Sequence, residues 1–247
     1  MMGSSRPHLD WSKLPALFPR FARPRRWLPL LRRHSALVAD WNSRAGLSAV
    51  AEDQIVRRNY AESMEIWSAV LAEVHPDGGA LLTVADVGPG AGYPGMVGAI
   101  LSPRVGVHLI EAHGRRADFL ALCRRELGAG NAFVRRVRAE DVARGTLRDS
   151  CDAVVARAVA PLATLLEYSA PLLRVGGLAI HPKGGSVISE VHAARAAADR
   201  LGLEFRGLRS LRVEVSATPF VACYLKVVDT PEGFPRRPGV ARKRPLT

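Results

Sequence analysis

The stretch "VADVGPGAGYPGM", residues 84–96, decides how this chain is read. An apolar run closes with an acid, Asp86, and glycines then stand at alternate positions 88, 90 and 92. Glycine adopts backbone conformations closed to other residues and leaves no side chain between the chain and whatever approaches it. Upstream, "ALLTVADV" (80–87) reads as a buried strand, so the glycines fall in a strand-to-helix turn. In an open parallel sheet such a turn faces the crevice beyond the strand ends, where ligands sit. Gly88, Gly90 and Gly92 in alternation there predict a nucleotide-type ligand rather than a simple packing turn.

The rest of the chain supplies the sheet. Strands are expected at 105–112, 132–140, within 151–160, at 178–185 and at about 205–215 and 220–229. Helices separate them at 115–127, after Pro161, and over an alanine-rich stretch 186–201. Strands alternating with helices predict an α/β fold with a mostly parallel seven-stranded sheet covered on both faces. Ahead of it, residues 34–79 carry Leu37, Trp41, Ile55, Tyr60, Met64 and Trp67 at helical spacing, closed by a loop at "HPDGG" (75–79). The organisation read from the sequence is an extension over 1–33, a small helical segment over 34–79, an α/β domain over 80–229 and a tail over 230–247.

Charge is concentrated at the ends. The chain has 247 residues and a net charge of +12. Residues 1–33 carry eight Arg or Lys against Asp10 alone, and residues 234–247 carry five against none. The body between is neutral. Basic ends on a neutral body suit a polyanion such as RNA, and the tail cations Arg236, Arg237, Arg242, Lys243 and Arg244 are the candidates. The proline- and arginine-rich extension is expected to be poorly ordered. No apolar run approaches the ~20 residues that span a bilayer, which argues against a membrane protein. Three scattered cysteines, Cys123, Cys151 and Cys223, form no CxxC pair and read as reduced, half-buried thiols of a cytoplasmic protein. No metal-ligand spacing is present.

Two ligands compete for the loop. Gly90, Gly92 and Gly95 fit GxGxxG, so an NAD(P)-dependent oxidoreductase is one reading. Against it, Asp86 would repel a pyrophosphate, and Pro94 removes a backbone donor from the helix start. An acid-x-Gly-x-Gly-x-Gly pattern instead resembles the loop of class I (Rossmann-like) methyltransferases that bind S-adenosylmethionine, whose charges include a sulfonium and an ammonium. Glu111, closing the second strand, fits the same pocket, where a carboxylate accepts from both ribose hydroxyls.

A longer series of motifs is more specific. "WNSRAGLSAV" (41–50), "DVGPGAGYPG", "LIEAHGRRADFL", "RAE" (138–140), "ARAVAPLATLLEYSAPLLRVGG", "PKG" (182–184) and "FPRRPGVARKRPL" occur in order. In these the chain resembles the bacterial small-subunit ribosomal RNA guanine-N7 methyltransferases, also called glucose-inhibited division protein B, over roughly residues 35–247. The resemblance implies S-adenosylmethionine as cofactor, with contacts from Gly88, Tyr93, Ala139, Glu140 and Arg157. It implies 16S rRNA or the 30S subunit as partner, for a monomer without an obligate protein partner. Arg157 and Lys183 become candidate positioning residues, with no general base required. A non-catalytic RNA-binding protein on the same scaffold is the remaining alternative. The chain departs from the family at "RNYAESM" (58–64), where Asn59 and Glu62 replace the usual His and Asp.

Overall fold

The computed structural model describes residues 9–74, 81–157, 159–212 and 219–247. Seven strands form one sheet in the order β3-β2-β1-β4-β5-β7-β6. They are β1 (Thr83–Val87), β2 (Gly106–Ile110), β3 (Ala132–Arg135), β4 (Cys151–Val155), β5 (Leu173–Lys183), β6 (Leu203–Ser210) and β7 (Phe220–Lys226). β1 to β5 pair in parallel, and β7 runs antiparallel between β5 and β6. The expected mostly parallel seven-stranded sheet is therefore present, and its strand order reverses between β1 and β4. That reversal opens the crevice at the carboxyl end of β1.

Alternation along the strands divides the core in two. Val84, Ala153 and Val155 face one cluster with Trp67, Met96 and Phe119. Ala85, Val87 and Val154 face the other, with Leu162, Leu165 and Leu166. The second cluster is covered by α7 (Leu162–Ser169), α8 (Val187–Ala193) and α9 (Arg195–Arg200). The alanine-rich helix expected over 186–201 is thus two helices, broken at Ala194. The third strand stops at Arg135 rather than 140, and Ala139–Val142 is a short helix, α6. The sixth ends at Ser210; the remainder of the stretch to 215 falls partly, and the loop at 75–79 wholly, outside the described residues.

The first cluster is covered by the N-terminal segment, α4 (Gly95–Leu101) and α5 (Gly114–Glu126). Here the expected domain boundary is corrected. Following the short helix α1 (Leu14–Leu17), α2 runs from Pro24 to Ala45, straight through 33/34, and residues 9–33 are packed rather than loose. Leu14, Phe18, Phe21, Trp27 and Leu31 are buried in the core. The arginines of this stretch read as polyanion ligands in the sequence, but Arg20 donates to the carbonyls of Ser68 and, in the last turn of α3 (Glu62–Glu73), Leu71. Carbonyls at a helix end lack helical partners, so a cation there is favourable. Ahead of α3 a π-helical turn spans Val56–Ala61. The three cysteines are free, and all are buried rather than half-buried.

Gly98 in α4 lets that helix lie against Trp67: a Cβ at 98 would fall 2.4 Å from ring atoms Cδ2 and Cε3. Gly98→Ala should cost about 1–3 kcal/mol in urea unfolding, the scale of an overpacked core. Trp67→Phe should recover part of that cost in the double variant.

Candidate cofactor cleft

The loop after β1 lines a cleft of about 450 Å³ at the strand-order reversal. Gly88, Gly90 and Tyr93 come from this loop, Glu111 from the end of β2, Ala139 and Glu140 from α6, and Arg157 from beyond β4. A Cβ added at Gly90 (φ +57) would meet no protein atom within 4 Å, so the bare backbone there leaves open space. Gly92 and Gly95 differ. Their Cβ atoms would fall 2.6 Å from Met96 Cβ and from Asp86 Oδ2, which makes them packing glycines.

Asp86 is corrected in the same way. It does not line the cleft but lies wholly buried behind the loop, where Oδ2 accepts the Gly95 amide at 2.7 Å, at the start of α4. Burial pushes its carboxyl up to about 7, against the pull of the Gly95 hydrogen bond and Arg157. Asp86 therefore cannot touch a ligand in the cleft. The carboxylates that do face the ligand are Glu111 and Glu140. Glu111 Oε2 accepts from Gly90 N at 3.1 Å and Oε1 from His113 N at 2.8 Å, tying the β2 turn to the glycine loop. Glu140 Oε1 accepts from Gly239 N at 2.8 Å, tying α6 to the C-terminal tail.

The N-terminal segment fixes the loop from behind. His34 Nε2 lies 2.9 Å from the Ala91 carbonyl, which can only accept, so Nε2 carries the proton. Nδ1 then accepts from the Tyr60 hydroxyl at 2.9 Å, and Tyr60 accepts from Tyr93 at 3.2 Å. Burial lowers His34 to about 4, so the ring is neutral at pH 7. In "WNSRAG", Asn42 Oδ1 accepts from the amides of Leu47 and Ser48, and Gly46 closes α2 in the left-handed conformation. This turn delivers Leu47 to the cleft wall. Glu62, at the departure from the family pattern, pairs with Arg157 at 3.1 Å, and Arg157 also donates to the Arg58 carbonyl at 2.9 Å. The Arg157 guanidinium sits 5.5 Å from the Tyr93 ring centre.

Two further assignments are corrected. Lys183 does not reach the cleft. Its ammonium donates to the Ala160 carbonyl (3.0 Å) and Glu190 (2.8 Å), and Glu190 also accepts the Leu162 amide. Lys183 thereby steadies the loop carrying Val159 and Ala160, which do line the cleft. Arg236 is no free cation either: it forms a two-oxygen pair with the buried Glu167. The tail folds back, with Phe234, Ala241 and Leu246 in the second core cluster. Arg237, Arg242, Lys243 and Arg244 remain exposed, and Arg242 lines the cleft. Sequence reading missed Leu47, Arg116, Val137 and Tyr168 on the wall, because no spacing rule connects these distant segments.

Glu111, Glu140 and Arg157 bring charged groups to the cleft lining, Val137, Ala139 and Tyr168 line it as well, and the bare loop at Gly90 leaves room for a close approach. Among the described residues, no group of His, Cys, Asp or Glu is arranged to hold a metal ion. Sheet order and cleft together define a class I, Rossmann-like methyltransferase fold. The cofactor-bound Rv0187 protein from MTB shares that fold, with a TM-score of 0.53, 16% identity, and 80% of this chain and 89% of that one covered. So does M. jannaschii TYW2 in complex with AdoMet, with a TM-score of 0.51, 16% identity, and 68% and 78% covered. A family model described as rRNA small subunit methyltransferase G matches residues 28–214. Proteins named ribosomal RNA small subunit methyltransferase G are similar over most of the chain. That of Carboxydothermus hydrogenoformans is 35% identical, covering 95% of this chain and 99% of its own. That of Rubrobacter xylanophilus is 38% identical, covering 90% and 85%. The chain belongs to the rRNA small subunit methyltransferase G family.

Burial of Asp86 has a measurable consequence. Its native value near 7 lies above the ordinary 3.8, so over about pH 4 to 7 the folded protein holds a proton that the unfolded chain has released. Stability from this group therefore falls as pH rises through that window. Asp86→Asn should gain in Tm relative to the wild type from pH 4 to 7 and run parallel above it. A constant difference across the window would mean that the carboxyl titrates normally.

Proposed function

We propose that this protein transfers a methyl group from S-adenosylmethionine to N7 of a guanine in 16S rRNA. The observation that carries the reading is the cleft, where bare glycine backbone meets Glu111 at the point of strand-order reversal in a chain of this family. Bound there, S-adenosylmethionine supplies an electrophilic methyl group. Guanine N7 is an acceptor with an in-plane lone pair, so no residue has to remove a proton from it. The work of the chain is to align the reactants, which can supply ~7–11 kcal/mol through orientation.

Glu111 holds the ribose and, through the Gly90 amide, the loop that faces the sulfur end. Ala139 and Glu140 bound the adenine end. Arg157, fixed by Glu62 and resting beside Tyr93, positions the reacting base. Lys183 acts one step back, holding the wall loop in place. The target base has to leave its stack to reach this depth, which favours a loop or bulge over a regular RNA helix. The reading is tested by radiolabelled methyl transfer to unmodified 16S rRNA and 30S subunits, with 7-methylguanosine as the expected product. Label on adenine or cytosine would overturn it.

The exposed cations Arg237, Arg242, Lys243 and Arg244 contact RNA phosphates, with Arg242 joining that surface to the cleft. Neutralising Arg237, Lys243 and Arg244 together should weaken RNA binding and flatten its dependence on log salt by about 0.7–0.9 for each phosphate no longer neutralised. Arg236→Ala should instead lower thermal stability, because it leaves Glu167 buried without its partner.

A further inference from the structure

The cofactor cleft, at about 450 Å³, is near the lower end of the range for a single small-molecule ligand, so the base it methylates needs room elsewhere. A second hollow of about 1220 Å³ adjoins it. Tyr93 lines both. The chain neighbours Leu47 and Ser48 lie one on the cleft and the other on the hollow. The hollow lies along α2 and the strap that follows it, with Trp11 at one side and Asn59 on its wall.

Its chemistry suits a purine. Val38, Val50, Ile55 and Val56 give apolar walls. Trp11 is half-buried against Tyr60, with ring centres 4.6 Å apart, which steadies it as a stacking surface. Asn59 is buried, with its amide donating to Ser48 Oγ at 3.3 Å. Glu52 reaches the wall without a hydrogen bond or ion pair among the described residues. The Watson–Crick edge of guanine offers donors at N1 and N2, which a carboxylate accepts as a pair; adenine offers an acceptor at N1 and is disfavoured. A guanine read on that edge keeps its N7 on the opposite side of the ring.

We propose that this hollow receives the extruded guanine, with Trp11 stacking on its face and Glu52 reading its Watson–Crick edge, so that N7 is presented past Tyr93 to the cofactor cleft. The inference rests on the guanine-N7 reading above. Ala36 and Ala39 are exposed on the α2 face of the hollow, so a large side chain there fills it at little cost to folding.

The test compares wild type, Ala36→Trp, Ala39→Trp and Glu52→Gln. Methyl transfer to 16S rRNA, RNA affinity and S-adenosylhomocysteine affinity are measured for each. The expected result is a fall in kcat by about tenfold or more, as a misplaced base loses its alignment, with both affinities unchanged. Wild-type kcat and KM in all three variants would overturn the hollow as base receptor while leaving guanine methylation standing. Weaker RNA binding at unchanged kcat would also overturn it, marking the face as a backbone-docking surface. A wild-type enzyme that places no methyl on guanine would bring down the functional reading first and this inference with it.

Discussion

A glycine-rich loop that must stay bare toward its ligand has little of its own, beyond a turn closed on the Pro89 carbonyl, to hold its shape. Everything else in this structure answers that constraint. Three side chains fix the backbone of this stretch from the protein side: Asp86 at the Gly95 amide, Glu111 at the Gly90 amide and His34 at the Ala91 carbonyl. Two of the three anchors lie outside the loop and its strand, and one of them sits in α2, far earlier in the chain. Each side chain is buried, so its polar atoms have few alternatives to the bonds they make.

The helical segment is therefore part of the cofactor site and more than a cap on the sheet. The chain of hydrogen bonds from Tyr93 through Tyr60 to His34 runs through the aromatic core between α2 and α5. The Glu62–Arg157 pair joins α3 to the far side of the cleft. At the other end the tail does the same, through Gly239 to Glu140 and through Arg236 to Glu167. Segments that looked like arms for RNA are closed back onto the domain. Of the exposed tail cations, Arg242 thereby stands at a fixed position on the cleft wall.

Much of this was legible in the sequence. Strand and helix alternation pointed to the α/β class, and the glycine spacing located the cleft, because both follow from local periodicity and backbone geometry. Seven of the residues singled out for the cofactor do line one cleft. Sequence reasoning misassigned Gly92, which packs against Met96, and three charged residues, Asp86, Lys183 and Arg236. For the three charges the side chain type was right for a ligand, but a partner within the protein had already taken it.

The sequence by itself determined the sheet, the bare turn and the family, since those depend on residue order along a single stretch. Only the tertiary structure decided which charges face the ligand and which face the protein. That choice depends on contacts between residues far apart in the chain, such as Glu62 with Arg157 and Glu167 with Arg236. Burial sets their energetics: a buried carboxylate such as Glu167 needs its cation, whereas a charge left at the surface carries no such demand.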